Sequence, residues 1–180
     1  MGVSIHFRGS ITNSENTDPL INELSEISNE MGWKYSVIDD VEPQLKGIIL
    51  QPHDKSEPFS ILINANGKLT NLLCLVDKDD DRVDYSLNSI KTHFAPVDIH
   101  ITIVKLLRYI KKKYISDLEV TDEGSYWETG DADLLAVKID IINERINSIA
   151  GMISSIPNSG KETPESLADK IEHYLKGKFD

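Results

Sequence analysis

Four strand-like runs lie close together between residues 35 and 76, and only short turns separate them. They cover residues 35–38, 45–50, 59–63 and 69–76. Asn66-Gly67, between the last two runs, accepts the positive φ angles of a tight hairpin turn. Parallel strands need a crossover connection of about a dozen residues or more, which these turns do not provide. The pattern therefore predicts antiparallel pairing and disfavours a parallel, doubly wound sheet.

Helices are predicted before and after these strands in the sequence. Residues 3–11 alternate apolar and polar side chains, as in a half-buried strand, and a helix over residues 17–32 then starts before a proline and stops at a glycine. Beyond Pro96, apolar residues recur every three or four positions and predict a second helix that ends in a lysine run. A third helix follows a cap at Asp131 or Thr129. Shorter strands are expected at residues 85–94 and 118–120.

This order of elements predicts an α+β fold. We expect a mostly antiparallel, curved sheet of about five to seven strands with the helices packed on one face. A chain of 180 residues is long enough to bury a core without a disulfide or a metal. Residues 1–156 are predicted to form a single domain, 157–163 a linker, and 164–180 a C-terminal helix that packs on the same domain.

The charge of the chain excludes some classes of partner. Thirty acidic and nineteen basic residues give a net charge of −11, which repels the phosphates of nucleic acids. No apolar run approaches the roughly 18 residues of a membrane-spanning helix, and the first residues do not form a secretory signal. The sequence therefore predicts a cytoplasmic protein that binds neither nucleic acid nor membrane.

Established catalytic and cofactor motifs are absent from the sequence. It contains no Gly-x-Gly-x-x-Gly, Walker, Gly-x-Ser-x-Gly, His-Glu-x-x-His or paired Cys-x-x-Cys motif. Residues 77–81 begin like a calcium-binding loop, but Arg82 and Asn88 stand where that loop needs glycine and glutamate. We therefore predict no cofactor and no metal, and an enzyme is the less favoured interpretation.

One segment is rich in chemically useful residues. Residues 122–131 combine carboxylates, two large aromatic side chains and glycines between a short strand and a helix start. Such a segment is suited to recognition, but the same residues also suit capping and core packing, and the nearby histidines also suit a packed role. The candidate residues for binding a ligand or partner are Asp122, Glu123, Tyr126, Trp127, Glu128, His93 and His100.

Parts of residues 91–131, under a quarter of the chain, resemble a family of uncharacterised bacterial proteins. The most distinctive part of the match is Asp122-Glu123-Gly124 followed by Tyr126-Trp127-Glu128-Thr129-Gly130-Asp131. The similarity extends to Lys91-Thr92-His93-Phe94-Ala95, to the helix that contains His100 and Leu106-Leu107-Arg108-Tyr109, and to Lys113-Tyr114. The resemblance implies a bacterial, cytoplasmic protein. No activity is attached to that family, so the resemblance implies no mechanism.

Three functions are compatible with these observations. The leading hypothesis is a non-catalytic binding protein, immunity-like or antitoxin-like, whose acidic surface meets a basic protein partner. The second is a protein that holds a small molecule in a cavity between helix and sheet. The third is a metal-assisted or acid–base enzyme that uses the 122–131 loop. The sequence leaves open whether the chain is a monomer or a homodimer.

Overall fold

The computed structural model describes residues 2–40, 44–75, 84–154 and 172, and these form an α+β fold. The described residues contain seven strands and four α-helices, with short 3-10 helices at Ser14–Asn16 and Leu72–Leu75. In chain order the elements are β1 (Ser4–Arg8), α1 (Thr17–Met31), β2 (Lys34–Asp40), β3 (Leu45–Gln51), β4 (Phe59–Ile63), β5 (Leu69–Thr70), β6 (Asn88–Lys91), α2 (Val97–Lys113), β7 (Glu119–Asp122), α3 (Tyr126–Thr129) and α4 (Ala132–Ser154).

The strands form two antiparallel sheets. One sheet has the order β2-β3-β4-β5, and the other has the order β6-β1-β7. An isolated bridge between the two sheets pairs Ser10 with Lys68. The antiparallel pairing is confirmed, but the prediction of one curved sheet of about five to seven strands is wrong.

The sheets stay separate because β1 is already paired at both edges, with β6 on one side and β7 on the other. The sequence predicts a strand over residues 69–76, yet pairing stops at Thr70 and a 3-10 helix follows. The side chain of Asn71 accepts a hydrogen bond from the Leu73 amide at 3.0 Å, which turns the chain out of the strand. Asparagine commonly competes with strand pairing in this way. Strand β5 therefore pairs with β4 over two residues only, and Lys68, just before it, forms the bridge to Ser10, just beyond β1.

Helix α1 ends where the sequence predicts. Gly32 has a φ of 67°, a left-handed conformation that glycine adopts at little cost. The amide of the next residue, Trp33, donates to the Ser28 carbonyl at 2.8 Å and closes the helix. The chain then enters β2 directly, and α1 packs against β2 and β3.

The centre of the core lies where β1 meets β4. The ring of Phe7 is 5.6 Å from the ring of Phe59, and every residue of β4 is buried. Strand β2 is the opposite case, because none of its seven residues is buried. It stands at the edge of its sheet, where β3 is its one partner strand among the described residues.

Helix α4 begins with the predicted cap. Asp131 accepts hydrogen bonds from the amides of Asp133 and Leu134 at 3.0 Å.

Contacts divide the chain into two compact units, Met1–Asp140 and Ile141–Asp180. Apart from Glu172, the predicted linker and C-terminal helix lie outside the described residues, so the domain boundaries stay predictions. None of the helices described is long and apolar enough to cross a membrane.

Candidate functional site

Two of the predicted site residues meet in the interior. His100 of α2 and Asp122 at the end of β7 place Nε2 and Oδ1 3.1 Å apart, and both side chains are fully buried. The two atoms are close but do not form a well-aligned hydrogen bond, because Nε2 has no partner in hydrogen-bond geometry. The other ring nitrogen, Nδ1, is hydrogen bonded with the hydroxyl of buried Thr92 at 2.7 Å.

Asp122 also organises the backbone of the loop after β7. Its Oδ1 accepts the Gly124 amide at 2.7 Å, and its Oδ2 accepts the Trp127 amide at 2.9 Å. Burial acts to raise the pKa of Asp122, but His100 and these two amides outweigh it and hold the pKa below its usual value. The loop is therefore built around an ionised, buried carboxylate.

The two aromatic residues of the loop are held by one arginine. The Arg108 guanidinium of α2 donates to the carbonyls of Tyr126 and Trp127 at 3.2 and 2.6 Å. It also lies 5.8 and 5.5 Å from the centres of their rings, within cation–π range. Tyr126 is buried, whereas Trp127 is half-buried. Arg108 thus fastens the loop and α3 to α2.

The remaining candidates lie apart from this pair. Glu123 accepts the Ser4 amide at 2.7 Å, and its side chain is 47% exposed. Glu128 is exposed on α3. His93 is buried, accepts the Val3 amide at 3.3 Å and contacts the ring of Phe94 in a tilted arrangement, with the ring centres 4.0 Å apart. Burial, followed by the charge of Lys91, lowers the pKa of His93.

The structure therefore brings together His100, Asp122, Tyr126 and Trp127, but it places most of this group inside the protein. Glu123, Glu128 and part of Trp127 are the candidates that reach the surface. That the seven residues bind a ligand or partner stays a prediction. In the described part of the chain, no group of three or more His, Cys, Asp and Glu side chains is arranged to hold a metal ion.

A second cluster, which the sequence did not indicate, joins α1 to α2. Glu23 accepts hydrogen bonds from the hydroxyls of Tyr109 and Tyr114, each at 2.5 Å, and from Lys113 at 2.8 Å. Lys113 first, and then the two tyrosines, lower the pKa of Glu23 to about 2. Both carboxylate oxygens are occupied, so Glu23 holds the two helices together and is not a free acid or base.

An open groove lies next to this cluster between the same helices. Its volume is about 300 Å³. Most of its exposed lining is apolar, and none of the seven predicted site residues contributes to it. The lining residues are Glu23, Ile27, Met31, Trp33, Thr102, Lys105, Leu106 and Tyr109. We call this feature the α1–α2 groove.

The apolar stripe of α1 leads from the core into the groove. Leu20 and Leu24 are fully buried, Ile27 is half-buried, and Met31 is 51% exposed. The sequence pattern contains all four residues but does not show that the apolar stripe extends beyond the buried core. That information depends on where α2 lies, which a helical periodicity does not encode.

Acidic residues flank the groove on the α1 side. Glu26 and Glu30 follow two groove residues, Glu23 and Ile27, by three positions, so they are their neighbours on the helix surface. Both are exposed, and no basic side chain of the described part of the chain lies within ion-pair distance of either. Lys105 stands on the α2 side.

Comparison with family models, with curated proteins and with solved structures found no match to this chain.

Proposed function

We propose that the protein is a non-catalytic binding protein that takes a basic protein partner at the α1–α2 groove. The observation that carries the proposal is the exposed apolar residue Met31 beside two acidic residues, Glu26 and Glu30, that have no cation within ion-pair distance in the described structure. Apolar anchors framed by charge are typical of protein interfaces, where the anchor supplies affinity and the charges guide association.

The partner we infer carries an apolar side chain next to lysine or arginine. The apolar side chain fits the groove, whose floor includes Ile27, Trp33 and Leu106. The basic side chain faces Glu26 and Glu30. A net charge of −11 speeds the approach of such a partner. A catalytic role at this place is not supported, because every oxygen of Glu23 already accepts hydrogen bonds.

Site-specific photo-crosslinking in the native host tests the proposal. The variant Met31→p-benzoylphenylalanine places a cross-linking group at the groove, and Val137→p-benzoylphenylalanine is the matched control. Val137 lies on α4 and is 54% exposed, close to the exposure of Met31. We expect position 31 to give a covalent adduct with a basic protein, and position 137 to give none.

Charge reversal then tests the acidic rim. Glu26→Lys with Glu30→Lys removes the attraction, whereas Asp140→Lys with Glu144→Lys makes the same change in net charge at the same spacing on α4. We expect the first pair to abolish the adduct and the second to preserve it. The purified partner should bind more weakly as salt rises, because attraction between exposed charges is screened. An acidic partner, or equal loss in both double variants, would overturn the proposal.

A further inference from the structure

We propose that a second copy of this chain pairs with the outer edge of β2, so that two four-stranded sheets join into one. This surface is separate from the α1–α2 groove, and the inference goes beyond the proposed function. Strand β2 is seven residues long and has no buried residue, and its outer edge has no partner strand among the described residues. Such an edge presents unpaired backbone groups that invite another strand.

The side chains in the middle of β2 support pairing. Tyr35 is 37% exposed and Val37 51% exposed, and they point to the same face as Leu50 and Ile48, their direct neighbours on β3. No proline interrupts the strand, and its charged residues lie at its two ends. The centre of the edge is therefore apolar. It has no charged residue or proline of the kind that prevents an edge strand from pairing with another chain.

The charges of β2 favour a second copy over other strands. A symmetric pair of identical edges must run antiparallel about a two-fold axis. With Val37 opposite Val37 of the second copy, all seven residues pair and Lys34 lies opposite Asp40. The same contact occurs twice because of the symmetry.

Neither of these charges has a cation or anion within ion-pair distance in the described part of its own chain. Within one strand, Lys34 and Asp40 are about 20 Å apart and cannot meet. Asp39, in contrast, lies 3.9 Å from Lys46 of the neighbouring strand.

Other registers are less favourable. Because side chains alternate between faces, the register can shift only in steps that keep like faces together. A shift that brings Ile38 or Asp39 opposite its own copy leaves Lys34 beyond the partner strand, and with Asp39 at the centre it also sets like charges against each other. A shift in the other direction leaves Asp39 and Asp40 beyond the paired region. The full-length register is therefore the one that the sequence of β2 selects.

Sedimentation velocity on a charge-exchange series tests this pairing. Lys34→Asp sets aspartates against each other, and Asp40→Lys sets lysines against each other. We expect each variant alone to weaken dimerisation by about 10- to 30-fold, because two attractive pairs become repulsive. An equimolar mixture of the two variants restores both attractive pairs, and we expect it to form a heterodimer as tight as the wild-type dimer.

A disulfide reports the register directly. Val37→Cys in a Cys74→Ser background places two thiols opposite each other at the two-fold axis, and Val137→Cys in the same background is the control of similar exposure. We expect mild oxidation to link the chains through position 37 and not through position 137. Three results would overturn the inference. The wild-type chain could stay monomeric at every concentration, the charge-exchange variants could dimerise as tightly as the wild type, or positions 37 and 137 could cross-link equally.

Discussion

The substitution Asp122→Asn tests whether the loop after β7 is organised by a buried negative charge. The wild-type carboxylate accepts the amides of Gly124 and Trp127, one on each oxygen, and contacts His100 at 3.1 Å. Asparagine has the same shape but only one acceptor oxygen. Its amide nitrogen must face either a backbone N–H group or the histidine ring.

The expected loss is large. One backbone amide is left without an acceptor, which costs about 1–3 kcal/mol in a buried site, and the other amide loses a hydrogen bond to a charged group, which is worth about 1.5–3 kcal/mol. Loss of the charge brings no compensating gain, because the folded protein holds the pKa of Asp122 below its ordinary value and so favours the ionised form. We expect the free energy of unfolding to fall by about 3–5 kcal/mol.

The loss depends on pH in a definite direction. The folded-state pKa of Asp122 is lower than its ordinary value of 3.8, so its contribution is fully present above about 3.8. It disappears as the pH falls through the lower, folded-state value. The difference between wild type and Asp122→Asn should therefore stay constant from about pH 7 to about pH 5 and narrow below pH 3.8.

Urea unfolding followed by tryptophan fluorescence measures both effects. With a denaturant slope of about 2 kcal/mol/M, the midpoint should move down by about 2 M. Glu128→Gln is the control, because Glu128 is an exposed carboxylate of the same segment, and we expect a change below about 0.5 kcal/mol. A loss under about 1 kcal/mol for Asp122→Asn, or an unchanged difference at about pH 3, would refute the reasoning.

Four further substitutions test the packing and charges around the loop and the helices. Gly124→Ala should lower the free energy of unfolding by about 1–3 kcal/mol, because its Cβ would lie 2.5 Å from a leucine methyl group of α4. Gly151→Ala, with nothing within 4 Å, should raise it by up to about 1 kcal/mol in the same urea assay. Arg108→Ala should cost about 1–2 kcal/mol and shift the Trp127 emission to the red, and an unchanged spectrum would contradict its role. Glu23→Gln should lower Tm at neutral pH by about 2–4 °C. The contribution of Glu23 to stability is fully present above pH 4.5 and is lost as the pH falls through about 2. A calorimetric difference in Tm between wild type and Glu23→Gln that persists below pH 2 would contradict this prediction.

Features with a local cause could be predicted from the sequence. The end of α1 depends on one glycine, and the start of α4 depends on one capping aspartate. Both residues act on the backbone within a few positions, so the structure has the helix ends where the sequence predicts them. The hairpin before β5 is of the same kind, because Gly67 has a positive φ and the side chain of nearby Asn64 accepts the amides of Asn66 and Lys68.

Features that depend on distant parts of the chain could not be predicted. Whether one sheet or two would form depends on which strands occupy the edges of β1, and these two strands, β6 and β7, come from distant parts of the chain. The Glu23 cluster requires α1 and α2 to be adjacent, which neither helical pattern specifies. The one-turn helix α3 is set by Asp122 and Arg108 and carries no apolar period of its own.

The predicted site illustrates why an acidic, aromatic segment is ambiguous. In a sequence, a carboxylate beside glycine and tryptophan is equally typical of a ligand contact and of an acceptor for backbone amides. Asp122 accepts two amides, and amides are present at every position of a sequence except proline, so the pattern contains no sign of them. The exposed positions Glu123 and Glu128 keep the recognition hypothesis open for the outer side of the loop.

The two proposed interfaces predict opposite responses to salt. Two chains of charge −11 with centres about 40 Å apart repel each other by about 12 kcal/mol without screening. Screening reduces this to about 3 kcal/mol at 0.01 M salt and to about 0.1 kcal/mol at physiological ionic strength. The Lys34–Asp40 contacts are exposed and contribute at most about 1 kcal/mol each, so they do not reverse the trend.

We therefore expect β2 dimers to tighten at least tenfold between these two salt concentrations, whereas the complex with a basic partner weakens over the same range. Sedimentation of the chain alone and titration with the purified partner measure the two constants separately. A dimer that weakens steadily with added salt would mean that attraction between opposite charges dominates self-association. The interface would then have to bring acidic and basic surfaces together over a wider area than β2 provides, and the pairing of the two edges would be refuted.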